Sequence, residues 1–64
     1  MKILAIIFDG FEEEEAMAPF ALLRRAGANL TIASLNKTVK GNHDIYLTNI
    51  TLLNEIDYKD FDCL

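Results

Sequence analysis

The run Lys2–Phe8, KILAIIF, limits what this chain can become more than any other feature. It is apolar after Lys2, contains three isoleucines and shows no period-2 alternation. A half-exposed strand alternates apolar and polar residues. A continuous apolar run of this length instead suits a strand covered on both faces, as inside a parallel sheet. Asp9-Gly10 ends the run, and Gly10 can take backbone angles closed to other residues.

The next segments follow the logic of a parallel sheet. From about Glu13 to Ala26, Ala, Met, Phe and Leu recur at helical spacing, which predicts an α-helix. Gly27 is a natural stop, and Arg24 and Arg25 in the last turn suit the negative end of the helix dipole. NLTIASL, Asn29–Leu35, reads as a second strand. Strand, helix and strand with short connections make a right-handed βαβ unit, and the fold class is α/β. Gly41-Asn42 is a turn signal between the β-prone runs Thr38–Lys40 and Asp44–Thr48, which predicts a small hairpin. ITLLNEI, Ile50–Ile56, is expected as a short helix, and a further parallel strand is expected to start at Phe61.

Length sets the next constraint. A chain of 64 residues buries only about 60% of its unfolded surface and is marginal alone. The single cysteine allows no internal disulfide, and one His with one Cys makes no zinc site. Yet 52% of the residues are hydrophobic, which points to a piece of a larger core. Two or three parallel strands and one long helix cannot cover both faces of a sheet. The expectation is therefore an incomplete domain, residues 1–64, whose remainder lies outside this sequence.

Charge and patterning exclude several function classes. The net charge is -4 and no basic stripe appears, so nucleic acid is not an expected partner. The apolar start is too short to span a membrane and has no small-residue cleavage site after it. A reducing cytoplasm is the expected compartment. The Asn-x-Ser/Thr triplets at Asn29, Asn36 and Asn49 then have no role. "FDG" lacks the second aspartate that a phosphoaspartyl site needs, since Phe11 stands there. No glycine-rich phosphate loop is present, and no cofactor or metal is expected.

Glu12–Glu15 form an unbroken acidic run between the first strand and the helix. All gain from the positive end of the helix dipole, by roughly 0.3–1 kcal/mol each. Helical phase separates them. Taking about 100° per residue, Ala26, Leu22 and Pro19 fall within about 40° of Glu15, on the edge of the stripe that should face the sheet. Glu13 and Glu14 fall toward Arg24 and Arg25 and read as solvated. Pro19 cannot bond the carbonyl of Glu15, so the helix should be distorted there or begin only after it. Two readings of Glu15 stay open. It is a helix-start carboxylate bonded to backbone amides, or a carboxyl kept protonated by burial and used as a hydrogen-bond donor.

These residues also carry a likeness. The segment from Ile3 to Leu35 resembles the start of the ThiJ/PfpI superfamily, in the branch with the Parkinson-disease protein. Gly10, Glu12, Glu13 and Glu15 fit a G-x-E-E-x-E motif, and Arg24, Arg25, Ala26 and Gly27 fit its R-R-A-G helix end. The resemblance implies an incomplete flavodoxin-like sandwich and, for the complete protein, a homodimer. It implies that Glu15 is a buried, protonated carboxyl donating to a reactive cysteine beyond Leu64. The implied activity is glyoxalase III-like or deglycase-like hydrolysis of reactive carbonyl adducts, or cysteine-based redox sensing. The alternative is a non-enzymatic small-molecule-binding or chaperone-like module of the same fold. Met17 is an exposed apolar residue or, as the resemblance implies, a dimer contact. Cys63 is expected as an inert core thiol and His43 as a surface residue. The expected partner of this segment is the rest of its own domain.

Overall fold

The computed structural model describes all 64 residues. Its elements are β1 (Lys2–Ile6), α1 (Glu13–Arg25), β2 (Asn29–Ser34), β3 (Val39–Lys40), β4 (Tyr46–Leu47) and β5 (Thr51–Leu52). Single 3-10 turns follow at Leu53–Glu55 and Tyr58–Asp60.

β1 and β2 pair in parallel, from Lys2 opposite Asn29 to Ile6 opposite Ala33, with α1 as the crossover. This is the predicted βαβ unit. The Ile7 amide extends the ladder to the Ala33 carbonyl at 3.0 Å, and the buried Ser34 hydroxyl donates to the Ile7 carbonyl at 2.6 Å. β5 adds to the free edge of β2, again in parallel, with Ala33 opposite Thr51. On the far side of β1, the Leu4 amide donates to the Cys63 carbonyl at 2.9 Å and the Asp62 amide to the Lys2 carbonyl at 2.8 Å. The strand expected from Phe61 is thus a single parallel bridge, Ile3 to Cys63. The sheet order is β1-β2-β5, so β1 has β2 on one side and the Cys63 bridge on the other. The fold is α/β, in agreement with an incomplete flavodoxin-like sheet.

α1 ends as its sequence requires. Gly27 has φ +92°, and the helix closes with Gly27 N–H to Arg24 O and Ala28 N–H to Leu23 O, both near 3 Å (3.1 and 3.0). This Schellman arrangement needs a left-handed residue, which glycine supplies without strain. Pro19 neither ends the helix nor delays its start: α1 runs continuously from Glu13 to Arg25. Pro19 leaves the Glu15 carbonyl without its i+4 donor. Glu15 is an exposed residue, where water can supply that bond.

The core is small. Ile7, Val39 and Ile50 form a buried cluster, with Phe11, Phe20, Ile32 and Leu47 packed against it. Leu4 and Ala33 are buried on the sheet. Along the first apolar run Leu4 and Ile7, on opposite faces of the pleat, are both buried, while Ile6 and Phe8 toward its end are 37% and 55% exposed.

The hairpin forms where the turn signal placed it, with Val39 opposite Leu47 and Lys40 opposite Tyr46. Ile50–Ile56 departs from its expected short helix. It gives β5 and then one 3-10 turn, because the free edge of β2 offers Thr51 and Leu52 a full ladder. Pairing with an existing strand outweighs the weak local helix preference. Cys63 is exposed rather than buried, since it lies on the outer edge beside β1. Met17 is half-buried rather than exposed.

Candidate functional site at the start of the helix

The strand order reverses at β1. In open α/β sheets, ligands bind beyond the carboxyl ends of the strands at that point. Here that place is the Asp9–Glu12 loop and the first turn of α1, and the acidic run occupies it.

The hairpin is stitched to this loop by backbone. Gly10 N–H donates to Lys40 O at 2.8 Å, Asn42 N–H to Phe11 O at 2.8 Å, and Lys40 N–H to the Asp9 carboxylate at 3.0 Å. Phe11 and Gly41 form a parallel bridge. The turn of the hairpin is thereby brought over the start of α1.

Glu13 fills the junction. It is the first residue of α1 and is only 5% exposed. Its Oε2 accepts from the His43 amide at 2.7 Å and the Ile45 amide at 3.3 Å. Its Oε1 lies 2.9 Å from His43 Nδ1. Glu12 Oε1 lies 3.2 Å from the same nitrogen. Gly41 makes this approach possible, because a Cβ there would collide with the Glu13 carboxylate.

The electrostatics follow from these contacts. Burial works to raise the Glu13 pKa, but bonds from the His43 side chain, its own amide and the His43 and Ile45 amides outweigh it. The carboxyl is held down from 4.5 to about 2. His43 is pushed up from its ordinary 6.5, first by the Glu13 hydrogen bond and then by the charges of Glu12 and Glu13. Burial opposes that rise, and Glu14 adds a smaller push in its favour. Glu13 is therefore an anion at neutral pH, with its proton-accepting capacity already used.

Glu12, Glu13 and His43 each present a ligand-type atom, all within 4.8 Å of one another. Both Glu13 oxygens are already engaged, and a proton on His43 Nδ1 satisfies the two facing carboxylates. The cluster reads as a filled ion pair rather than a metal centre.

This arrangement corrects the helical-phase reading. Glu13, expected in solvent, is the buried acid, while Glu15 is exposed and takes part in none of these bonds. The reason is geometric. A helical side chain leans back toward the helix N-terminus. At the first helical residue it overhangs the preceding loop instead of its own helical face. His43 is exposed, as expected, but its engagement with Glu13 was missed. The only signal for it was a glycine two residues before the single histidine.

A shallow pocket of about 300 Å³ lies at the other end of α1, lined by Arg24, Leu30–Ile32 and Thr48–Thr51. Arg24 there donates to the Leu30 carbonyl at 3.2 Å. The pocket holds no acid, histidine or thiol to set beside the helix start.

Comparison with known proteins fits this frame. The family model of the DJ-1/PfpI family matches residues 1–64. The chain belongs to the DJ-1/PfpI family. It is also similar to a curated protein of Thermococcus kodakarensis named as a deglycase, with 33% identity over 66 residues. That match takes in 100% of this chain and 39% of the relative. This DJ-1/PfpI chain thus spans well under half the length of the relative. No helix in it is long and apolar enough to cross a membrane.

Gly41→Ala tests the junction. Forcing a methyl group against the Glu13 carboxylate is expected to cost about 1–3 kcal/mol. It should also move the His43 midpoint back toward 6.5. A proton NMR titration of the His43 ring reads both the variant and the parent. An unmoved midpoint would mean that the contact does not depend on this close approach.

Proposed function

We propose that this chain supplies the N-terminal part of a DJ-1/PfpI domain whose chemistry is carried by a cysteine outside these residues, with Glu15 tuning that thiol. The observation that carries the reading is the state of Glu15. It is a carboxyl in the first turn of α1, beyond the carboxyl end of β1, and it is exposed and unengaged. Its neighbour Glu13 is consumed by structure. Glu14 and Glu15 are both exposed and unengaged in that turn, and of the two Glu15 is the one that helical phase sets at the edge of the sheet-facing stripe and that fits the family motif.

The chemistry is straightforward. A protonated carboxyl that donates to a thiolate stabilises it and lowers the thiol pKa, and the thiolate is the nucleophile. The same donor can hold an oxidised sulfinate. Such a thiol suits hydrolysis of reactive carbonyl adducts, and the likeness to a protein named as a deglycase favours this over pure redox sensing. Cys63 is not that thiol. It bridges Ile3, near the amino end of β1, and Glu15 lies past the carboxyl end. The remainder of the domain is the partner this segment needs. In the complete protein, half-buried Met17 on the same helix is a candidate contact of a homodimer in the cytoplasm.

Glu15→Leu in the complete protein should raise the pKa of the reactive thiol and slow its alkylation near neutral pH. Each unit of rise removes about tenfold of the thiolate. Iodoacetamide alkylation followed across pH gives the value directly. An unchanged profile would remove Glu15 from the mechanism and favour a binding module of the same fold.

A further inference from the structure

The first turn of α1 has no cap of its own. Glu12 stands at the N-cap position without a side-chain hydrogen bond, and the first intrahelical bond is Ala16 N–H to Glu12 O at 2.9 Å. The amides of Glu13, Glu14 and Glu15 precede that bond and lack helical partners. What orders this turn comes instead from the hairpin, through the Glu13 carboxylate.

Two kinds of tie hold the hairpin there. The backbone-to-backbone bonds from the Gly10 and Asn42 amides carry no titratable group. The side-chain tie between Glu13 and His43 Nδ1 at 2.9 Å titrates, because a neutral imidazole makes a weaker bond to a carboxylate than an imidazolium.

We propose that Glu13 is the positioning residue of the Glu15-bearing turn and that His43 gates it: protonated His43 locks the turn to the β3–β4 hairpin, and neutral His43 loosens it. The consequence for thiol tuning rests on the reading of Glu15 above. The lock itself rests only on the contacts of Glu13.

The charges facing His43 favour the locked form. From the start of α1 come Glu12, at 3.2 Å, Glu13 and, farther off, Glu14. From its own hairpin come Lys40 and Asp44, which pair with each other at 3.1 Å and so largely cancel. Asp9 of the preceding loop is engaged by the Lys40 amide. The balance of charge around the ring is negative, and it steadies the imidazolium. Glu15 lies two residues beyond Glu13, within the same helical turn, so a shift in Glu13 moves its backbone directly.

The test is a pH titration of the isotopically labelled complete protein by NMR, from about pH 5 to 9. The His43 ring should titrate above 6.5. The amides of Glu14 and Glu15 should shift with the same midpoint. Exchange of the Ile45 amide, corrected for its intrinsic pH dependence, should quicken by about fivefold across that midpoint, the difference between a charge-assisted and a neutral bond.

His43→Gln changes an exposed residue and should leave the fold intact. It should abolish the inflection in the Glu14 and Glu15 amides. Glu13→Gln keeps an oxygen for the two backbone amides and should also remove the inflection. First-turn signals that do not follow His43, or that still titrate in His43→Gln, would overturn the proposal. Failure of the Glu15 reading is seen separately, as a thiol profile unmoved by Glu15→Leu, and leaves the lock standing.

Discussion

Leu4→Ala should lower stability by about 2–5 kcal/mol, the cost of a cavity at a fully buried leucine. Leu4 is 1% exposed in the middle of β1, between β2 and the Cys63 bridge. Whole domains hold only about 5–15 kcal/mol in all. One methyl-lined void would therefore remove much of the total. Urea denaturation of the complete protein should show a clearly lowered midpoint at unchanged slope. Leu4→Met conserves volume and should cost less than about 1.5 kcal/mol. Phe8→Ala, at a site 55% exposed, should stay well below the Leu4→Ala loss. A Leu4→Ala change no larger than that at Phe8 would mean that the centre of the fold is not on β1.

The parts of this structure that were legible in the sequence are those fixed by neighbours close along the chain. The apolar run ending at Asp9-Gly10, the helical spacing up to Gly27 and the turn at Gly41-Asn42 each encode their own element, and the βαβ unit and hairpin follow. The family motif was readable for the same reason. What failed depended on contacts between distant segments. Thr51 and Leu52 became a strand because β2 had a free edge, which no local pattern announces. Pro19 was absorbed because Glu15, whose bond it removes, is exposed. Cys63 is exposed in these residues because only a single bridge, to Ile3, joins it to the sheet. Glu13 was read as solvated because helical phase describes the body of a helix. At its first residue the environment of Glu13 is set by a hairpin 30 residues away.

That same long-range junction makes the second large effect a function of pH. The Glu13 carboxyl is held at about 2 against its ordinary 4.5, so its contribution to stability is complete above 4.5 and is lost as the pH falls toward 2. His43 is raised above 6.5, so its contribution is complete below 6.5 and is lost as the pH rises through the raised value. The pair is worth most between 4.5 and 6.5. Glu13→Gln keeps an acceptor for the His43 and Ile45 amides but removes the charge. Its deficit relative to the parent should therefore peak in that window and shrink on either side. Glu13→Ala also strips both amides of their acceptor, so its deficit should be larger and persist at every pH. The exchange of those two amides should rise by about tenfold or more, as expected when a part-buried donor loses its charged partner. Denaturation curves collected across pH for the parent and both variants separate charge from geometry at this one carboxylate. A Gln deficit that does not vary with pH would show that the junction is held by shape alone, with His43 as a bystander.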